Sequence, residues 1–168
     1  TIIDDGQVVV NMGEPVWEPA QIPFNVENRA GSYTITVDKQ SYEIGVVSVG
    51  NPHAVLIVND INEAPLESLG PALEAHPLFP QRVNVGFMQV VNPGEINLRV
   101  YERGVGETLA CGTGACAAAV IGQSGGFLDQ HVTVNVTGGK LTIEWQGEGH
   151  AIMMTGPATK VFEGEIYL

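Results

Sequence analysis

Cys111 stands between a charged turn, Glu102-Arg103-Gly104-Val105-Gly106-Glu107, and a run of small apolar residues from Gly112 to Gly122 with helical character. If Gly112-Thr113-Gly114 opens a helix, its backbone N–H groups have no intrahelical partners, and the helix dipole favours negative charge there. A thiol at such a place ionises more easily, and a ligand carboxylate finds donors beside it. The same residues also describe a glycine-rich turn ahead of a buried Ala-rich helix, with Cys111 and Cys116 as small core hydrophobes. Spacing alone leaves both open.

The two cysteines differ in kind. Cys116 has Ala on either side within the expected helix and reads as packing. A bridge between them is not expected, because residues five apart on a helix do not face each other at disulfide distance. Two cysteines in 168 residues are no disulfide framework. No metal site is expected either: there is no CxxC, and His53, His76, His131 and His150 lack the i, i+4 spacing of a helical ligand pair.

Period-two alternation dominates the rest of the chain. Residues 32–38 and 132–136 alternate polar and apolar, and 141–145 follow the Gly138-Gly139 turn signal, which predicts a hairpin. Strands over 42–49 and 54–58 flank Gly50-Asn51-Pro52-His53, so a tight bend carries an amide and an imidazole. A further pair, 83–91 and 95–101, turns about Asn92-Pro93-Gly94. One surface helix is expected over 63–75, with Pro65 near its first turn and Gly70-Pro71 breaking or kinking it. The helix from about Gly112 to Gln123 is apolar nearly all round, so strands must curve around it. The fold class is therefore α+β, a strongly curved, mostly antiparallel sheet or barrel wrapped around a central helix.

Length and composition fit one domain: 44% of residues are hydrophobic and 15% charged. No stretch is long enough for a membrane helix, so no membrane partner is expected. A net charge of -12 with seven Lys and Arg argues against nucleic acid. With no signal peptide, a cytoplasmic setting is the expectation. The chain opens on Thr1 rather than Met, as a processed or partial sequence would.

Four stretches, Gly50-Asn-Pro-His-Ala54, Arg82-Val-Asn-Val85, Tyr101-Glu-Arg-Gly-Val-Gly-Glu-Thr108 and Ala110-Cys-Gly-Thr-Gly-Ala115, resemble in order and spacing the motifs of diaminopimelate epimerase. The likeness covers nearly the whole chain, as the C-terminal half of that enzyme. It implies two similar domains, each supplying one catalytic cysteine at the start of its central helix, with the first domain preceding Thr1. Residues 1–14 would then be strand and linker from that domain, 15–156 the C-terminal domain, and 157–168 terminal strands crossing back.

The resemblance also implies a chemistry without cofactor. A thiolate removes a weakly acidic α-proton from one face, and a thiol returns one to the other. Cys111 would be one of the two, with Gly112 and Thr113 holding the substrate carboxylate through N–H groups and the Thr hydroxyl. Diaminopimelate, the implied ligand, has an amino acid group at each end. Arg103 suits the remote carboxylate and Glu102 the ammonium, while Asn51 and Asn84 each offer a donor and an acceptor. His53 is a further candidate, for tuning the thiol or touching the ammonium.

Two other functions compete: a metabolite-binding or interaction domain without catalysis, and a related cofactor-independent racemase such as proline racemase. The second would leave Glu102 and Arg103 without a second charged end to bind. At the chain ends, 8–15 read as a strand entering a linker and 159–168 as a last strand pair. Such edges are expected to pair with each other or with a second copy, as a homodimer.

Overall fold

The computed structural model describes residues 1–3, 6–159 and 161–166. Its elements, in chain order, are β1 (Gln7–Asn11), β2 (Tyr33–Val37), β3 (Gln40–Ser48), β4 (Pro52–Ile57), α1 (Leu66–Glu74), β5 (Asn84–Asn92), β6 (Glu95–Glu102), β7 (Gly106–Thr108), α2 (Gly112–Ser124), β8 (His131–Val136), β9 (Gly139–Glu144) and β10 (Met153–Pro157). The strands form one sheet in the order β1-β10-β9-β8-β6-β5-β4-β3-β2, with β7 on β6. It is mostly antiparallel; the β4–β5 and β6–β8 pairs are parallel. Parallel neighbours need a crossover, and each has a helix in it: α1 joins β4 to β5, and α2 lies between β6 and β8.

The two helices take opposite faces. On one face, Val47, Val55, Met88, Leu98 and Val100 meet α2; on the other, Val46, Ala54, Leu56, Val85 and Phe87 meet the side chains of α1. Neighbouring residues of β3 and β4 thus enter different cores, so these strands read as unbroken apolar runs. Strands β3, β4, β5, β6, β8 and β9 all touch α2, which requires the sheet to curve round it. The sheet stays open between β1 and β2, but the segment after β1 crosses part of the gap. Met12 N–H donates to Ile152 O, and Val16 exchanges N–H and C=O bonds with Ser48, each at 2.9 Å.

Close packing round α2 depends on missing side chains. A Cβ on Gly45 of β3 would lie 2.4 Å from Ile121 Cγ2, and one on Gly122 would lie 2.4 Å from Leu128 Cδ1. On the other face, Gly70 of α1 leaves room for the Tyr101 ring, which a Cβ would meet at 2.8 Å.

The structure departs from the sequence expectation in three places. Helix α1 runs through Gly70-Pro71 rather than breaking there. Pro71 stands inside the helix and costs it a hydrogen bond, while Leu66, Leu69 and Leu73 bury the apolar stripe that holds the helix down. Its start lies later than expected, because residues 61–63 form a separate 3-10 turn capped by Asp60. The expected strand pair at 159–168 is not present among the described residues: 158, 159 and 161–166 are irregular, and 160, 167 and 168 lie outside the described set. The strand that partners β1 is β10, which ends before that segment begins.

Replacing Gly45 by Ala should lower stability by about 1–3 kcal/mol, since neither the strand nor the Ile121 methyl can yield without moving α2. Urea unfolding would show it as a lower midpoint at unchanged slope; an unaltered midpoint would mean the helix is free to shift.

Candidate active site

Strand direction gathers the site at one end of the sheet. Parallel pairing sets the start of β4 beside the start of β5, with His53 opposite Asn84. Antiparallel pairing then sets the end of β6 there, with Val85 opposite Tyr101. The β3–β4 bend (Asn51), the first residue of β5 (Asn84), the β6–β7 turn (Glu102, Arg103) and the N terminus of α2 therefore meet. Cys111 is the N-cap residue of α2, in extended conformation.

A hydrogen-bonded chain links these residues. Cys111 Sγ lies 3.6 Å from Thr113 Oγ1. Thr113 Oγ1 lies 3.0 Å from His53 Nε2, which is also 3.0 Å from Asn51 Oδ1. Asn84, 3% exposed, clamps the two turns: its Nδ2 donates to Pro52 O at 3.1 Å, and its Oδ1 accepts from the Arg103 N–H at 2.9 Å. Arg103 Nη1 donates to Gln81 O at 2.9 Å. Glu102 does not pair with Arg103; its Oε1 accepts from Thr108 Oγ1 at 2.5 Å, and its charge acts on the Cys111 thiol.

The thiol differs from its sequence expectation. Cys111 is only 7% exposed, and its pKa lies above the ordinary thiol value rather than below it. Desolvation is the largest cause and outweighs the Thr113 hydroxyl and the Gly114 N–H, both of which favour the thiolate. The Glu102 charge pushes it further up. Cys116, fully buried, is pushed up to about 12, again chiefly by desolvation. His53, 1% exposed, is pushed down to about 4 by desolvation and then by the Arg103 charge, so its imidazole is neutral at pH 7.

All eight residues singled out from the sequence, Cys111, Asn51, Asn84, Glu102, Arg103, Gly112, Thr113 and His53, fall in this cluster. Sequence reasoning missed two that shape it. Thr108 fixes the Glu102 carboxylate, although it closes a motif already in view. Gly114 leaves room for the sulfur: a Cβ there would lie 3.2 Å from Cys111 Sγ and 3.0 Å from Val100 Cγ2. Cavities of about 570 and 640 Å³ that share Ser124 open at the opposite, C-terminal end of α2 and contain none of these groups.

A family model described as diaminopimelate epimerase matches residues 45–161, a span holding every residue of the cluster. This chain belongs to the diaminopimelate epimerase family. A diaminopimelate epimerase of Thioalkalivibrio sulfidiphilus is 62% identical over 163 residues, covering 96% of this chain and 59% of that protein. One of Alkalilimnicola ehrlichii is 59% identical over 167 residues, covering 99% of this chain and 60% of its own length. The chain thus spans about 60% of the length of these curated relatives. Among solved structures, a hydroxyproline epimerase from Agrobacterium vitis superposes with a TM-score of 0.62 at 16% identity, over 90% of this chain and 50% of that one. A probable proline racemase from Agrobacterium radiobacter K84 gives 0.66 at 16%, over 97% and 54%. Those likenesses are of fold: the family shares its sheet-wrapped helix with proline racemase-type proteins.

Two measurements follow from the burial of the site. Brief iodoacetamide treatment should label Cys111 before Cys116, both more slowly than in urea, because the first is at the helix mouth and the second inside it. Equal rates for the two in the folded chain would contradict their placement. The second concerns His53, whose folded pKa of about 4 lies below its ordinary 6.5. The unfolded chain therefore binds the extra proton first, so stability is full above pH 6.5 and falls toward pH 4, by at most about 1.4 kcal/mol per pH unit from this group. Urea midpoints over that window should decline less steeply in His53→Gln than in the parent; parallel curves would remove His53 as the cause.

Proposed function

We propose that these residues form the half of a cofactor-independent diaminopimelate epimerase that supplies one acid/base thiol, Cys111, together with contacts for the substrate's distal end. The carrying observation is the joining of Cys111, Thr113, His53 and Asn51 into one hydrogen-bonded chain at the open N terminus of α2. The second thiol, on the other face of the α-carbon, is assigned to sequence outside residues 1–168, in keeping with the share of the relatives' length that this chain spans.

The proposed step is a proton transfer. As acid, Cys111 returns a proton to the α-carbon, a role that suits a thiol held above its ordinary pKa. As base it acts from its thiolate, which the Thr113 hydroxyl beside it and the helix N terminus favour. Helix N-terminal N–H groups at Gly112 and Thr113 hold the α-carboxylate and stabilise the charge that develops as the C–H bond breaks. At the distal end, Arg103 uses one guanidinium donor on Gln81 O and keeps others for a carboxylate. Asn51 and the second Asn84 amide hydrogen complete the zwitterion's contacts. Such an activity interconverts LL- and meso-diaminopimelate in lysine and peptidoglycan precursor synthesis, a cytoplasmic setting. Exposed Ile2, Val10, Val161 and Phe162 at the ends support contact with the remaining sequence or with a second copy.

On this reading residues 1–168 alone do not epimerise. One thiol reaches one face, and a hydrated site weakens every charge contact. The test is deuterium incorporation at the α-carbon of diaminopimelate in heavy water. The full-length protein should incorporate it, Cys111→Ser should slow it by about 10²–10⁴-fold, and proline should not exchange. Exchange of proline instead would reassign the site to the racemase reading. Arg103→Lys should weaken diaminopimelate by about 1–3 kcal/mol, since a forked donor becomes a point charge.

A further inference from the structure

Glu74 is the last residue of α1 and 4% exposed. An anion there is unfavourable twice over: the helix C terminus already carries partial negative charge, and burial strips the carboxylate of water. A leucine would fill the position without either cost, so something else keeps the acid in place.

Its bonds show what. Both carboxylate oxygens accept from Arg82 Nη1, at 3.1 and 2.9 Å, and Oε1 also accepts from the Gly104 N–H at 3.0 Å. The Glu74 C=O accepts from the Val83 N–H at 3.2 Å. Glu74 thus grips both segments that carry distal-end contacts: residues 82–83, just before Asn84, and residue 104, just after Arg103. Asn84 Oδ1 to Arg103 N–H closes the ring between them. Backbone conformation adds a second, independent sign. Arg82 sits at φ +60° and Gly104 at φ +74°. The first is a left-handed position that a non-glycine residue holds only when its surroundings fix it.

We propose that Glu74 is a positioning residue for substrate selection: its buried carboxylate sets the Arg103–Gly104 turn against the start of β5, and so sets where the Arg103 guanidinium can meet an anionic substrate end. This rests on the reading of Arg103 given under the proposed function. Glu74 itself does not touch substrate; it acts through the Gly104 N–H and through Arg82.

The test uses the full-length protein. In Glu74→Gln, KM for diaminopimelate should rise about tenfold while kcat stays within about threefold, because distal-end placement is lost and the thiol is untouched. In the Arg103→Lys background the same change should add little, since both act on one placement. Amide hydrogen exchange should quicken in a peptide spanning 101–106 and stay unchanged in one spanning 114–122. Glu74→Asp, which keeps the charge but falls a methylene short of Gly104, should behave alike and serves if the Gln variant does not fold. An unchanged KM, additive effects with Arg103→Lys, or exchange that quickens equally in both peptides would overturn the proposal. Absence of diaminopimelate turnover in the parent protein would instead count against the proposed function, and the exchange comparison would still decide whether Glu74 sets the turn.

Discussion

A helix with no polar side between Gly114 and Gly122 has no face to turn to water, and the architecture follows from hiding it. Those nine residues are all buried. Most are Ala or Gly, so backbone rather than side chain meets the surrounding strands, and the sheet can close in only where it also lacks bulk, as at Gly45. Covering such a helix takes strands on nearly every side, which a flat sheet does not offer. Two parallel pairs within an otherwise antiparallel sheet supply the crossovers. One of them contains the helix itself, which anchors the N terminus of α2 beside the end of β6.

That placement explains how residues distant in sequence become neighbours. Asn51 precedes β4, Asn84 opens β5 and Arg103 follows β6. A parallel pair aligns two strand starts, and an antiparallel partner brings its end to the same level, so all three lie at one edge without a long loop. The turns are then locked by polar groups bonded to backbone, at Pro52 O, Gln81 O and the Arg103 and Gly104 N–H groups. Satisfied buried polar groups of this kind fix one arrangement, because each broken bond would leave a desolvated donor or acceptor.

Much of this was legible in the sequence, and the parts that were not share a cause. Strands such as 132–136 and the 138–139 turn showed themselves because one face is buried and one is not, which imprints period two. The central helix showed itself through composition. The strand Met153–Pro157 did not, since its residues are mostly half-buried and it ends in Gly-Pro; β7 is three residues long and has no period to read. Residues 161–166 read as strand by their place after Gly156-Pro157, yet place supplies no partner, and they are irregular. Pro71 looked like a break or a kink because local rules see the lost hydrogen bond and not the leucine stripe beneath, and it does not break the helix. The cluster of site residues was legible through motif order, whereas its burial was not: depth is a property of what packs on top.

Burial decides the chemistry of the thiol. A helix N terminus is worth about 0.3–1 kcal/mol to an adjacent anion, up to about 2 in partly buried geometry. Removing an ionisable group from water shifts its pKa by up to 3–5 units when fully buried, at about 1.4 kcal/mol each. At Cys111 both act, and desolvation wins. Gly114 sets how closely the helix start approaches the thiol: a Cβ there would lie 3.2 Å from the sulfur, so its absence lets the two pack together. The same approach that lets the helix donate to a thiolate also removes the sulfur from water. Cys111 therefore rests as a thiol, with the Thr113 hydroxyl beside it in place to donate to the ionised form.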